Sequence, residues 1–348
     1  MTDINASVTA ATSARPRGAD PTVVVPVENQ GTFWADPDSL LACLREPTPR
    51  IPPVFGYDEV GSELFEAITR LPTYYLTRVE WQLLRRHAQD IAARLGAGSF
   101  AELGSGSGKK TRVLLAACLR RRRTTYLPID VSREMLEASA AVLRAELPEL
   151  VVTALWGRYE AALEWLRTNL ATDASARPLV VSFLGSNIGN ATDPEREGLL
   201  ADIATALRPG DGFLFSADLR KPRRVFERCY NDPPGHTAFH DFRLNHLTHL
   251  NRRFGADFAI QRFDPRAHYT EATGMVEGHL YARADHSVTV RDLDLTLRIR
   301  RGDSINVGFS AKFHPKALAE EVARHGMELE HHWVDPEWRY GIFLARLP

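Results

Sequence analysis

The sequence predicts an α/β protein: a doubly wound, mostly parallel sheet with helices on both faces, joined to a second, α+β lobe. Three observations carry this. From about residue 98, short apolar runs alternate with glycine turns and helical patterns, the layout of strand–helix–strand units. Beyond residue 225 that rhythm stops and strictly alternating runs take over: Leu293, Leu295, Leu297 and Ile299, then Ile305, Val307, Phe309, Ala311 and Phe313 after the turn Arg301-Gly302-Asp303. Period two marks antiparallel sheet with one exposed face. After residue 315 a helical pattern and two apolar runs resume, so the main domain reads as interrupted by an insertion.

The elements follow in order. Residues 1–30, rich in Ala, Thr, Ser and Pro, read as a mobile tail. "YDEVGSELFEAITRLP" sets Val60, Leu64, Phe65 and Ile68 at helical spacing until Pro72. "TRVEWQLLRRHAQDIAARLG" opens with Thr77 and Glu80 in capping-box register and closes at Gly96. "SFAEL" is the first strand of the main domain, followed by the loop "GSGSGKKT" and the helix "RVLLAACLR". "TTYLPID" is the second, with Ser132 capping the helix after it, and "VVTALW" is the third. "PLVVSFLG" is the fourth; its helix starts at Thr192 or Asp193 with Pro194 in the first turn. "FLFSADL" is the fifth, then comes a histidine-rich helical stretch, and "PKALAEEVARHG", "LEHHWV" and "YGIFLARL" close the domain. Residues 31–85 and 226–315 thus make the second lobe, and 86–225 with 316–348 the main domain.

Several function classes are disfavoured. The chain has 348 residues, 44% hydrophobic and 25% charged, with a formal net charge of −1. That is an ordinary globular composition without the basic excess of a nucleic-acid binder. The run Arg120 to Arg123 ends a helix, where cations suit the dipole. Cys43, Cys118 and Cys229 show no CxxC spacing, which points to a reduced, cytoplasmic protein without a disulfide framework or zinc site. No apolar run approaches the ~20 residues of a membrane span, and no signal-peptide layout is visible. His236, His240, His246 and His249 read as the exposed side of a helix rather than a metal site, since no cysteine ligand accompanies them.

"AELGSGSGKKT" admits several ligands. A phosphate loop fails because Gly104 to Gly108 is one residue short and a second lysine precedes Thr111. The dinucleotide fingerprint fails because Lys109 stands at the third glycine. What survives is Glu102, Gly104 and Gly106 after the first strand, with Asp130 ending the second, where a carboxylate accepts both ribose hydroxyls. This combination resembles S-adenosylmethionine-dependent methyltransferases, whose cofactor has ribose and adenine but no phosphate. On these residues alone, NAD and nucleotide binding stay open.

"YDEVGSELFEAITRLPTYYLTRVE", "ELGSGSGKKT", "FLGSNIGN", "PGDGFLFSADL" and "FSAKF" narrow the resemblance. In order and spacing they are similar to the histidine Nα-methyltransferases of ergothioneine biosynthesis, from about residue 50 onward; fungal relatives act on tryptophan or prenylated tryptophan. The resemblance implies a Rossmann-like methyltransferase domain and a substrate-binding lobe, with an amino acid held between them. It implies S-adenosylmethionine as cofactor, S-adenosylhomocysteine as product and no metal, nucleic acid or membrane partner, with a monomer favoured. Gly104, Gly106, Lys110, Asp130 and Tyr159 would hold the cofactor. Asn190, Tyr74 and Tyr230 would be catalytic, meeting the amino and carboxylate groups with Tyr57, while Phe242, Gly278, Gly308 and Ser310 would line the side-chain end.

Chemistry agrees with that outline. Methyl transfer is an in-line displacement on a sulfonium, so the protein mainly supplies alignment. The amine must be neutral, which a desolvated pocket favours, and a tyrosine or water takes the proton. Three positions depart from the family. Gly308 stands where the histidine enzymes carry a glutamate that receives the imidazole, and Gly278 where they carry methionine. Arg158-Tyr159 replaces an Asp-Phe pair near the adenine; Tyr159 can still stack, but Arg158 cannot accept a hydrogen bond. Strand alternation puts Gly308 and Ser310 on the pocket face, opposite Val307 and Phe309. The expected substrate is therefore bulkier or less polar than histidine, a tryptophan-like or modified aromatic amino acid of secondary metabolism. L-Histidine is the alternative, and a non-catalytic cofactor-binding protein a further one.

Overall fold

The computed structural model describes residues 22–28, 37–170 and 174–348. Its centre is an eight-stranded sheet of β1 (Thr22–Pro26), β2 (Ser99–Leu103), β3 (Thr125–Asp130), β4 (Val151–Trp156), β5 (Leu179–Phe183), β6 (Gly212–Asp218), β12 (Glu328–Asp335) and β13 (Tyr340–Arg346). The order is β1-β4-β3-β2-β5-β6-β13-β12; the first six are parallel, while β13 runs antiparallel to β6 and β12. β2, β5 and β6 are buried along their whole length, which is why they read as unbroken apolar runs.

Successive strand residues feed opposite faces. Phe100, Tyr126, Val152 and Val180 pack under α3 (Leu76–Leu95), α4 (Thr111–Leu119) and α5 (Arg133–Glu146). Ala101, Leu127 and Val181 pack under α6 (Tyr159–Asn169), α7 (Asp193–Ala206) and α10 (Pro315–Ala323). A separate core joins α1 (Pro37–Leu44) and α9 (Ala238–Phe254) to the strands β7 (Phe263–Thr270), β8 (Met275–Ala282), β9 (His286–Val290), β10 (Leu295–Ile299) and β11 (Ser304–Ala311). α2 (Glu59–Thr69) packs on α9, and α8 (Arg223–Cys229) links the main sheet to β7.

The structure departs from the sequence reading in five places. Of the stretch read as a tail, Thr22–Pro26 is a strand paired with β4, and Glu28 beyond it accepts from the Arg158 backbone N–H at 2.5 Å and from its guanidinium at 3.1 Å; the rest of that stretch lies outside the described residues. Thr77 and Glu80 form no capping box: α3 starts at Leu76, and Glu80 is turned into the core. That helix lies wholly against the main sheet instead of being divided at residue 85. The alternating runs do not form one hairpin: β10 pairs with β9 alone, whereas β11 pairs with β8 in a three-stranded sheet. Of the four histidines, His246 and His249 are buried, each with a ring nitrogen against backbone carbonyls. Among the described residues, no helix is long and apolar enough to cross a membrane, and no three His, Cys, Asp or Glu side chains gather as a metal site.

Candidate active site

The sheet order reverses beside β2, whose neighbours are β3 on one side and β5 on the other. Such a switch point opens a crevice at the carboxyl ends of the strands. The glycine loop after β2 and "FLGSNIGN" after β5 face each other across it.

Gly104, Gly106 and Gly108 have φ of +65°, +50° and +65°, conformations that L side chains rarely adopt. A Cβ on Gly106 would meet nothing within 4 Å, so the loop leaves open space above it. The Gly106 backbone N–H donates to Asp130 Oδ2 at 3.0 Å and that of Ser132 to Oδ1 at 3.0 Å, fixing the carboxylate at the end of β3. Burial raises the Asp130 pKa, although the bonds from Ser132 and Gly106 oppose it. Each oxygen keeps acceptor capacity for a ribose hydroxyl. Tyr159 hangs over the loop, its hydroxyl 2.7 Å from where a Gly104 Cβ would be, with its ring edge-on to Phe183. These residues fit S-adenosylmethionine. Lys110, by contrast, is tied in an ion pair to Glu80 beneath the loop. Glu102 points inward, accepting from Thr111 Oγ1 at 2.5 Å and from the Tyr126 hydroxyl, and burial pushes its carboxyl up to about 7. It braces the fold rather than facing the crevice.

The other side of the crevice is held by hydrogen bonds from below. The Gly185 N–H donates to Glu80 Oε1 at 2.6 Å and the Ser186 N–H to Ser216 Oγ at 2.9 Å; Ser186 Oγ accepts from the Asp218 N–H at 3.0 Å. These bonds set Gly185 at φ +84° and Ser186 at φ +58°, turning the chain into the single 3₁₀ turn Asn187–Gly189. Gly189 is required by contact: a Cβ there would lie 2.7 Å from the Ala311 carbonyl oxygen and 3.1 Å from its nitrogen. Asn190 follows, donating its amide to Asn187 Oδ1 at 3.1 Å.

All eight residues expected at the substrate, Tyr57, Tyr74, Asn190, Tyr230, Phe242, Gly278, Gly308 and Ser310, line one cavity of roughly 770 Å³ including its open mouth. The ring of Tyr74 meets those of Tyr230 at 6.1 Å and Phe239 at 5.9 Å, and Tyr57 meets Phe65 at 5.6 Å and Phe242 at 5.4 Å, all edge-on. Burial raises the phenols of Tyr74 and Tyr230 well above 10, and that of Tyr57 to about 12 with the Asp130 charge adding to it. Raised in this way, these tyrosines are neutral near pH 7. The Tyr230 hydroxyl sits 2.9 Å from Ser310 Oγ and accepts from Lys312 Nζ at 2.7 Å. Lys312 in turn bonds Ser310 Oγ at 2.8 Å and pairs with Asp218 at 3.2 Å.

Gly278 and Gly308 stand directly opposite one another in the β8–β11 ladder. A β-bulge between Asn306 and Gly308 breaks the alternation assumed from sequence, so Val307, Gly308, Phe309 and Ser310 all reach the cavity wall. A Cβ on Gly308 would meet nothing within 4 Å, whereas one on Gly278 would lie 3.1 Å from Arg243 Nε. Among the described residues lining the cavity none is acidic, and Arg243 is the one permanently charged side chain.

Four residues of the site escaped the sequence reading. Glu80, Asn187 and Arg243 carry the loop, its rim and the far wall; Lys312 orients Tyr230. Glu80 and Arg243 had a legible signal, since each is a charge on the buried stripe of its helix, beside Leu83 and Leu84 and beside Phe239 and Leu247.

Comparisons with known proteins identify the family. A family model described as histidine-specific, S-adenosylmethionine-dependent methyltransferase matches residues 36–347. The chain is 38% identical to a histidine N-alpha-methyltransferase of Mycolicibacterium smegmatis, over 85% of this chain and 89% of that one. A histidine N-alpha-methyltransferase of Mycobacterium tuberculosis is 38% identical over 86% and 91%. The 4-dimethylallyltryptophan N-methyltransferase of Epichloe festucae var. lolii is 25% identical over 86% and 91%. The chain belongs to the family of histidine-specific, S-adenosylmethionine-dependent methyltransferases and is an amino-acid N-methyltransferase.

Proposed function

We propose that the enzyme methylates the α-amino group of an amino acid whose side chain is bulkier than imidazole and aromatic over most of its length. The observation that carries the substrate reading is the far wall of the cavity, where Gly278 and Gly308 face each other and no carboxylate stands to receive an imidazole. Rings of Tyr57, Phe65 and Phe242 supply aromatic contact instead.

In this reading the cofactor, held by the Gly104–Gly106 loop and Asp130 with Tyr159 alongside, supplies a methyl group on a sulfonium. Asn190 and Tyr74 hold the amine, and Tyr230, fixed by Lys312, holds the carboxylate. A wall without acidic groups favours the neutral amine, because burial disfavours the ammonium form. The proton passes to water before transfer, since the buried phenols are too weakly acidic to act as phenolates. The faces of Tyr74 and Tyr230 tolerate the cationic product.

Histidine is the second reading, favoured by the 38% identity to the mycobacterial histidine enzymes. A mass-spectrometric screen of free amino acids with S-adenosylmethionine decides between them. The expected result is α-N-methylated product with aromatic amino acids larger than histidine, reduced ~100-fold or more in Asn190→Ala through lost alignment. Histidine as the best substrate overturns the proposal, and absence of product from any amino acid overturns α-amino methylation itself.

A further inference from the structure

Granting the large aromatic side chain, we propose that Arg243 is a specificity residue for its far end, and that the preferred substrate carries a carboxylate there. Arg243 projects from α9 and is buried, with a relative exposure of 6%. Its guanidinium lies 4.9 Å over the Phe239 ring, and Nη2 donates to the Tyr230 carbonyl. Of its fan of N–H donors, that is the only one with a protein acceptor among the described residues, and no carboxylate there lies within ion-pair distance. Asp232, the acid whose field reaches it, accepts from the backbone N–H groups of Phe239 at 2.9 Å and His240 at 2.8 Å and makes no direct ion pair with it.

A buried guanidinium with no counter-anion in direct contact is unfavourable, and nearby apolar walls sharpen the cost. A substrate carboxylate meets that need, because the planar fork of arginine receives it through two parallel bonds. The path is open. Arg243 Nε stands 3.1 Å from the Cβ that Gly278 lacks, and the opposite Gly308 leaves its own space empty. Arg243 is the one permanent cation among the described lining residues. His246 contacts the Phe242 and Arg243 carbonyls through Nδ1, and burial brings its pKa down to about 4, so it stays neutral. Arg243 and Ala267 also line an open polar groove, together with Asp232, His240 and Asp264.

The test compares L-4-carboxyphenylalanine with L-4-carbamoylphenylalanine, which differ in charge and hardly in shape. Wild-type enzyme should favour the carboxylate by ~10- to 100-fold in kcat/KM. Arg243→Met should abolish that preference, and Arg243→Lys should retain part of it; thermal unfolding of each variant checks that it is folded. Equal use of the two compounds by the wild type overturns the proposal, and needs no variant. A preference that survives Arg243→Met does so as well. If Arg243→Met weakens tryptophan, phenylalanine and both probes alike, Arg243 serves the common α-carboxylate and the side-chain assignment is wrong. Histidine outperforming every aromatic amino acid sinks the underlying reading of a large side chain. Methylation of aromatics without discrimination between the probes sinks only the role of Arg243.

Discussion

Placing a carboxylate at residue 308 tests the far wall directly. Gly308→Glu restores the acid that the resemblance leads one to expect there, but in this cavity the new group does not stand alone. Its cross-strand neighbour is Gly278, and Arg243 Nε lies 3.1 Å from where a Gly278 Cβ would be. Opposed Cβ positions in a ladder are about 4.5–5.5 Å apart, a gap that a glutamate side chain spans. At about 4 Å and an effective dielectric of about 20, the carboxylate–guanidinium attraction is about 4 kcal/mol. A charge-assisted hydrogen bond to imidazole is worth about 1.5–3 kcal/mol. The arginine wins, so Gly308→Glu alone should raise kcat/KM for histidine by less than ~3-fold. Combined with Arg243→Leu it should raise it by ~10- to 100-fold. The assay is S-adenosylhomocysteine release with histidine and with tryptophan, in wild type, both single variants and the double variant, read as a cycle. A full gain in the single variant would show that Arg243 does not face residue 308. Because Gly308 has φ +158°, where a side chain is strained, no gain counts only in a double variant whose thermal unfolding matches the wild type; there it would show that the substrate side chain points elsewhere.

Two further predictions concern buried carboxyls. Burial raises Glu102 to about 7 from 4.5, against the opposing bonds from Thr111 and Tyr126. A raised folded-state pKa gives stability that is complete below the usual value and lost as pH climbs through about 7. Glu102→Gln should therefore gain on the order of 3 kcal/mol over the wild type above pH 7, with a flatter profile from pH 4.5 upward, read from denaturant melts; superimposable profiles would remove the argument. Glu80 goes the other way: burial pushes it up, but the Lys110 charge and bonds from Lys110, Ser216 and Gly185 together outweigh this and lower it. Its contribution is present above 4.5 and lost on acidification. Glu80→Gln should cost about 3 kcal/mol at pH 7 and much less at pH 3; an equal cost at both would assign the effect to packing.

Much of the fold was legible because each main-sheet strand carries its own punctuation. "SFAEL" runs into glycines, "TTYLPID" into Ser132, and "PLVVSFLG" into the turn at Asn187. β1 was not, because the three valines of "TVVVP" sit in a stretch whose overall composition reads as tail, and only its pairing with β4 makes it a strand. The Thr77–Glu80 spacing imitated a cap; the helical stripe places Glu80 on the buried side beside Leu83 and Leu84, but its partners Tyr340 and Ser216 come from distant segments. The bulge at Asn306 is likewise invisible to a period-two count. Tyr57 and Tyr74, which line one cavity, could be grouped from sequence because both lie inside one recognisable motif. Arg243 could not, since its meaning depends on the two glycines it meets from another segment.

The contact between Gly189 and Ala311 has a consequence for how such an enzyme changes substrate over evolutionary time. In the proposed reading, the turn that presents the amine and the strand that carries residues 308 and 310 touch backbone to backbone at Gly189 and Ala311, with no side chain between them to be trimmed or rotated. Neither can slide without dragging the other, so on that reading the spacing between the amine and residue 308 is held by backbone alone. Substrate choice would then change through the side chains that the wall bears, and not through the distance between the two segments.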